Sequence, residues 1–578
     1  MAHFDFNRFY RYEELTTALH AAAAARPNLM RLHSIGKSHE GRDIWLATVT
    51  RFATGEPQDK PAFWVDGNIH SIEVSASAAN LYWLNALLEG DGTDADTTRA
   101  LDTRTFYICP RVNPDGAEWA LADFPKYVRS STRRYPEAID GMADVVEGYE
   151  PQDINGDGRI LRVRIPDANG HWKCHASDPR VMVRRDPAEA GGQYYRVLPE
   201  GRMAKPEHFD GTRIRVNKPL EGIDLNRNFP AEWRQEFEQM GASNFAASEP
   251  EVRAVVQFFM EHRNITSAIS FHTFSGVLLR PSGTHADKDM TPEDLWVYKA
   301  VGKKGEALTG YPAIGVYEEF RYHPKEVITG TFDWVYDHLG IYTWTVEIWS
   351  PMREAGIEKY AYIDWFRDHP EEDDLKLMAW NDQALGGKAF VDWQPFDHPD
   401  FGAVELGGWD TVHFISNVPK DRLEQEVAKF PKWLMHQALI SPQLALKSTK
   451  VEALGADLWR LSIALQNTGY LPTTVSKRAA DRKQVTPLMA QLELPEGVTV
   501  VNTAGNSNAS FSALPRVELG QLTGWSHKQT GTSFWPDSEP TSDIAVAQWV
   551  LKGPVGSVVP FVARAARAGA VRGSVTLA

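Results

Sequence analysis

The chain has 578 residues, 43% hydrophobic and 24% charged, a balance ordinary for a globular protein and a length too great for one core. A net charge of −15 excludes a nucleic-acid surface, which needs a basic stripe, and no run is apolar enough to span a membrane. With only Cys109 and Cys174, a disulfide framework and a cysteine-rich metal site are excluded and a reducing compartment is suited.

Met1 to Phe6 lack a basic head and an apolar signal core, so a cytoplasmic location is expected. Residues 1 to about 385 then alternate strand-like and helix-like segments. A strand from Ala62 to Val65 runs through Asp66-Gly67 towards a helix over Ser75 to Leu88, and Thr105 to Cys109 forms a strand stopped by Pro110. Glu249 to His262 reads as a helix with Pro250 in its first turn, followed by a strand at Ala268 to His272. Trp334 to Leu339 is helical and Tyr342 to Val346 a strand. The alternation predicts an α/β domain over 1–385, a sheet covered by helices.

Residues 135–222, rich in Gly, Pro, Asp and Arg, interrupt this pattern as a long insertion or a set of joined loops. Residues 386–445 read as a connector with one helix, Leu423 to Leu439. Beyond 446 come short alternating segments, among them Leu458 to Leu465, Leu488 to Leu494 and Ala545 to Leu551, with turn signals such as Asn467-Thr468-Gly469 between them. Residues 446–578 are therefore expected to form an all-β sandwich.

His70 and Glu73, three residues apart at the end of the strand that begins at Ala62, are candidate metal ligands. A catalytic zinc needs three protein ligands and one open position. Spacing alone does not select this pair, because His323 with Glu326 and His369 with Glu372 share it. A third ligand must come from elsewhere, and His272 at the end of an apolar strand is the best placed. Glu347 lies among apolar neighbours that should raise its pKa, which suits a general base. Arg129, Asn226 and Arg227 offer planar donors for a carboxylate or an oxyanion. Taken singly, each also has a plainer reading: a satisfied histidine, a salt-bridged glutamate, a surface arginine or a loop cap.

Five blocks in order make a pattern: Asn68 to Glu73, Arg111 to Gly116, Asp224 to Asn228, Ser270 to Thr273, and Gly330 to Trp334 leading to Val346-Glu347. In them the chain resembles zinc carboxypeptidases of the pancreatic carboxypeptidase A family, over most of residues 8 to 350. The resemblance implies a mixed central sheet and one zinc ion held by His70, Glu73 and His272. It also implies Glu347 as general base, Asp224 as the carboxylate orienting the first histidine, and Arg129 polarising the scissile carbonyl. Asn226 and Arg227 would clamp the free C-terminal carboxylate of a peptide substrate. Because the resemblance begins near residue 8, no N-terminal pro-segment is expected.

Three positions depart from the family pattern. Lys325 stands where a mobile tyrosine closes over substrate; Tyr322 is the nearest substitute and Tyr317 the next. Ile72 replaces an arginine used in subsite binding. The positions that set specificity read Gly283 and Phe332, favouring apolar or aromatic terminal residues, whereas Arg280 facing the pocket would favour acidic ones. Separately, Asp153, Asn155 and Asp157 have the spacing of a calcium loop, but Arg164 replaces its bidentate glutamate, so an incomplete calcium site competes with an Asx turn.

The expected function is zinc-dependent hydrolysis of a C-terminal peptide bond. A second reading keeps the zinc but acts on N-acyl amino acids or peptidoglycan-type amides. A third, a catalytically silent binding module, is disfavoured because such a scaffold needs neither Glu347 nor three ligands.

Overall fold

The computed structural model describes residues 4–135, 147–217, 220–320, 329–501, 512–527 and 538–578. Eight strands form its central mixed sheet: β1 (Met30–Lys37), β2 (Asp43–Val49), β3 (Ala62–Gly67), β4 (Thr105–Cys109), β5 (Ile265–Thr273), β6 (Val277–Arg280), β7 (Ala313–Gly315) and β8 (Tyr342–Ile348). Their spatial order is β1-β2-β4-β3-β5-β8-β6-β7, with β4, β3, β5 and β8 mutually parallel at the centre.

Those central strands are buried on both faces because helices cover the sheet, and their polar residues are mostly the small Ser and Thr. Every residue of β3 and β5 is buried. Phe63 and Val65 point into one core with the helices Tyr12–Ala25, Val74–Gly90 and Pro431–Leu439, while Ala62 and Trp64 point into the other with Pro250–Glu261 and Thr331–Leu339. The helix Val74–Gly90 is apolar around most of its circumference, as a helix enclosed by protein must be.

The described residues of 135–222 are not only loops. Arg162–Pro166, Trp172–Cys174, Met182–Arg184 and Tyr195–Pro199 join Phe390–His398 and Gly402–Trp409 in a six-stranded sheet. Residues 386–445 therefore do more than connect: they complete this sheet, and their helix Pro431–Leu439 buries Trp433 in the main core. The single helix expected over Leu423 to Leu439 is two, Leu423–Val427 and Pro431–Leu439, the second starting at Pro431.

Two four-stranded antiparallel sheets follow, one of Leu444–Gly455, Leu458–Asn467, Ile544–Lys552 and Thr499–Val500. The other contains Met489–Leu492, Arg516–Glu518, Val558–Ala565 and Gly569–Thr576. Trp459, Leu461, Ile463 and Leu465 alternate inward between them, giving the sandwich its own core.

This β unit is pinned to the helix Thr331–Leu339. Buried Arg567 donates to the carbonyls of Leu339 (2.6 Å), Thr474 (3.0 Å) and Gly340 (3.3 Å), taking up the unpaired end of that helix. Asp294 accepts the Lys477 and Arg478 N–H groups, together with the hydroxyls of Tyr336 and Tyr342. Arg567→Leu would strand the Leu339 and Thr474 carbonyl oxygens, Gly340 keeping its bond from the Ser476 hydroxyl, and should cost about 2–4 kcal/mol. A lowered denaturation midpoint checks this; an unchanged midpoint would show that the guanidinium is dispensable.

Candidate metal centre and substrate cavity

The site forms at the C-terminal edge of the parallel strands, where side chains from consecutive βα turns meet. At the end of β3, Gly67 runs so close to the next helix that a Cβ would sit 2.6 Å from Asn80 Nδ2. Asn68 then adopts a left-handed φ of 55°, a conformation asparagine tolerates better than most residues. The resulting turn places His70 and Glu73 side by side just before the helix begins at Val74.

His70 Nδ1 lies 2.8 Å from Glu73 Oε1. β5 delivers His272, whose Nδ1 is 3.1 Å from His70 Nδ1 and 3.0 Å from Glu73 Oε2. All three are buried, and among the described residues they are the only group of three His, Cys, Asp or Glu side chains whose ligand atoms converge, here within 4.8 Å. His369 has no such company: it pairs with Asp374 and the Trp365 carbonyl, not with Glu372. His323 lies outside the described residues.

Hydrogen bonds behind the rings fix which nitrogen is free. His70 Nε2 faces Asp224 Oδ1 at 3.1 Å, an acceptor that keeps the proton on that nitrogen. His272 Nε2 faces Ser270 Oγ at 3.3 Å, and the Ser270 hydroxyl donates to Asp66 Oδ1 at 2.6 Å. Trp64 Nε1 donates to the other Asp66 oxygen, also at 2.6 Å. Both Nδ1 lone pairs are thereby directed at the Glu73 carboxylate. Three acceptors this close repel one another unless a cation lies between them, and two imidazoles plus a carboxylate suit zinc.

Charge around the centre is graded. Burial alone would raise the Asp224 pKa, but Arg129, Arg227 and His70 hold it well below the usual carboxylate range. Glu347, paired in register with His272 across β5 and β8, behaves oppositely: burial pushes it up to about 8, with His272 opposing and Glu73 assisting. No hydrogen bond or ion pair reaches the Glu347 side chain among the described residues.

These groups open into a cavity of about 300 Å³. Arg129 reaches its wall while its Nε donates to Asp224 at 2.8 Å. Asn226 Oδ1 accepts from the Thr331 N–H (2.9 Å) and hydroxyl (3.0 Å), leaving its own N–H groups for the cavity. Arg227 beside it is tied to the Asn226 carbonyl at 3.0 Å. Leu279, Val316, Phe320, Phe332 and Ile363 give the cavity an apolar wall.

Arg280 is not part of that wall: its guanidinium is held by Asp287 (2.6 Å) and the Ala313 carbonyl. Tyr317 does not line the cavity either, and Tyr322 and Lys325 lie outside the described residues. The calcium reading finds no support, since the Asp153, Asn155 and Asp157 oxygens accept N–H groups of their own loop as Asx turns. Residues that the sequence did not single out also appear. Ser270 and Asp66 orient His272, and the buried hydroxyl of Thr345, a residue of the cavity wall, has no hydrogen-bond partner among the described residues. A threonine in a strand or a serine before a histidine carries no distinguishing sequence signal.

A family profile described as zinc carboxypeptidase matches residues 15–177 and 191–366. A second, described as a domain of unknown function, matches residues 443–576. Carboxypeptidase A1 of Sus scrofa is 24% identical over 373 residues, covering 62% of this chain and 65% of that protein. Carboxypeptidase A2 of Rattus norvegicus is 25% identical over 362 residues, covering 60% and 63%. This chain thus spans a little under two thirds of those relatives' length. Among solved structures, thrombin activatable fibrinolysis inhibitor is 18% identical, covering 60% of this chain and 67% of that one at a TM-score of 0.38. Carboxypeptidase A from Helicoverpa armigera is 17% identical, covering 67% and 76%, also at 0.38.

The Ser270–Asp66 relay makes a separable prediction. Ser270→Ala frees the His272 ring and should weaken metal affinity by about 10–100-fold with the fold intact. Competition against a chelating dye measures this, and an unchanged affinity would mean that packing alone orients the ring.

Proposed function

The chain belongs to the zinc carboxypeptidase family, and from that premise we propose that it removes C-terminal residues from peptides by hydrolysis. The observation that carries the reading is the convergence of His70, Glu73 and His272 with Glu347, Asn226 and Arg227 in one cavity. The three ligand side chains would hold a zinc ion, which supplies Lewis-acid activation of water and of the scissile carbonyl.

This chain's residues perform the rest. Arg227 and the Asn226 amide bind the terminal carboxylate, a planar anion matched to planar donors. The apolar wall takes the terminal side chain, so the last amide is the one presented to Glu347. Glu347, not ion-paired and raised by burial, accepts a proton from the attacking water and returns it to the departing amine. Arg129 extends from its anchor on Asp224 and donates to the carbonyl oxygen as charge develops there. Asp224 and the Ser270–Asp66 pair keep the imidazoles in place. The closing tyrosine is assigned to Tyr322 by its place in the sequence alone.

The Thr345 hydroxyl refines the choice of terminal residue. An unpaired hydroxyl in an apolar wall favours a side chain that brings its own polar tip. Peptides ending in tyrosine should exceed those ending in phenylalanine by about fivefold in kcat/KM, roughly one neutral hydrogen bond. Thr345→Val should erase that ratio, and a ratio unmoved by the substitution would remove Thr345 from the account.

The role of Glu347 is tested by Glu347→Gln. Peptidase kcat should fall by about 10²–10⁴-fold while bound zinc, measured by elemental analysis, stays constant. Full retained activity, or loss of zinc with activity, would contradict its assignment as a base that is not a ligand.

A further inference from the structure

A second cavity, of about 320 Å³, lies against the six-stranded sheet and shares no lining residue with the metal cavity. Its walls carry four large rings: Trp172, Phe390, Trp393 and Trp409. They are held in place from behind. Trp393 Nε1 donates to the Arg180 carbonyl at 2.9 Å, and the Arg164 guanidinium lies 4.6 Å over the Trp393 ring. Phe390 meets Trp409 edge-on, with centroids 5.3 Å apart. Arg184 lies 4.1 Å over Trp172.

Gly408 helps keep the space open. At φ 99° it has no side chain, and a Cβ there would lie 3.3 Å from the Arg162 side chain and 3.6 Å from Trp393. A side chain at this position would crowd the base of the Arg162 side chain and the Trp393 ring.

Two of the basic side chains in its lining, Arg180 and His369, already have acidic partners. Arg180 is neutralised by Asp178 and Asp382, each at 2.7 Å. His369 pairs with Asp374 at 3.2 Å. The Arg162 side chain has no hydrogen-bond or ion-pair partner among the described residues. Ring faces bind a flat apolar body, and a guanidinium with open donors binds a carboxylate through two parallel hydrogen bonds. A pocket of this volume that combines several large rings with a few polar groups has the form of a small-molecule site.

We propose that this cavity is a second ligand site, for a small aromatic carboxylate stacked among Trp172, Trp393 and Trp409 with its anionic group on Arg162. The inference does not depend on the peptidase reading, since no residue of the metal cavity takes part.

Calorimetric titration of the full chain with 1-naphthoate tests it. The Arg227→Gln background removes the carboxylate contact in the metal cavity. One saturable 1:1 site is expected. Adding Arg162→Gln should raise Kd by about tenfold or more, the worth of a charged hydrogen bond, and neutral 1-naphthamide should show the same loss on the unaltered Arg162. Val197→Trp, which fills the cavity, should abolish binding while circular dichroism stays unchanged. The proposal is overturned if no saturable heat appears, if Arg162→Gln leaves Kd unchanged, or if the amide binds as well as the acid.

Discussion

A buried carboxylate, Glu73, held between two imidazoles that both turn a lone pair towards it, is the constraint on which the rest of the structure depends. The arrangement is unfavourable by itself, because three acceptors face one another out of water. It persists because each imidazole is tied from behind, His70 by Asp224 and His272 through Ser270 to Asp66. The ties are in turn buried and satisfied by Arg129, Asn226 and Trp64. A polar network of this kind holds its geometry only when every member is bonded, and a cation held by His70, Glu73 and His272 would complete it.

The sheet supplies the precision. Parallel register across β5 and β8 sets Glu347 opposite His272, so the proposed base and one candidate ligand are neighbours by main-chain pairing. The helix Thr331–Leu339 closes the other side: Thr331 fixes the Asn226 amide and Phe332 forms part of the apolar wall. Its far end is capped by Arg567 from the β unit, which therefore supports a helix that shapes the cavity. Among the described residues, the β unit contributes none to the cavity wall.

Much of this was legible in the sequence because chemistry was concentrated in a few turns. His70 and Glu73 share their spacing with His323 and Glu326 and with His369 and Glu372, and what separates them is the ordered company of Asp224, Asn226, Arg227, His272 and Glu347. The central strands announced themselves as short apolar runs. The six-stranded sheet did not, because the pairing that joins its halves, Arg164 with Glu405, links segments more than two hundred residues apart, and its strands between 162 and 199 are short. The Ser270–Asp66 relay and the bare Thr345 hydroxyl were equally hidden, since both depend on which side chains face each other once packed. Arg280 illustrates the converse: an arginine beside a predicted pocket is paired with Asp287 and never reaches it.

The account rests on a terminal carboxylate being gripped while the adjacent amide meets the base and the metal. The most direct test is mass-spectrometric digestion of one peptide library in two forms, free acid and C-terminal amide, before and after zinc removal. Stepwise loss of single C-terminal residues from the free acids only, abolished by chelation and restored by zinc, is the predicted result. Cleavage of the amides at the same rate, or internal cuts that survive chelation, would contradict it.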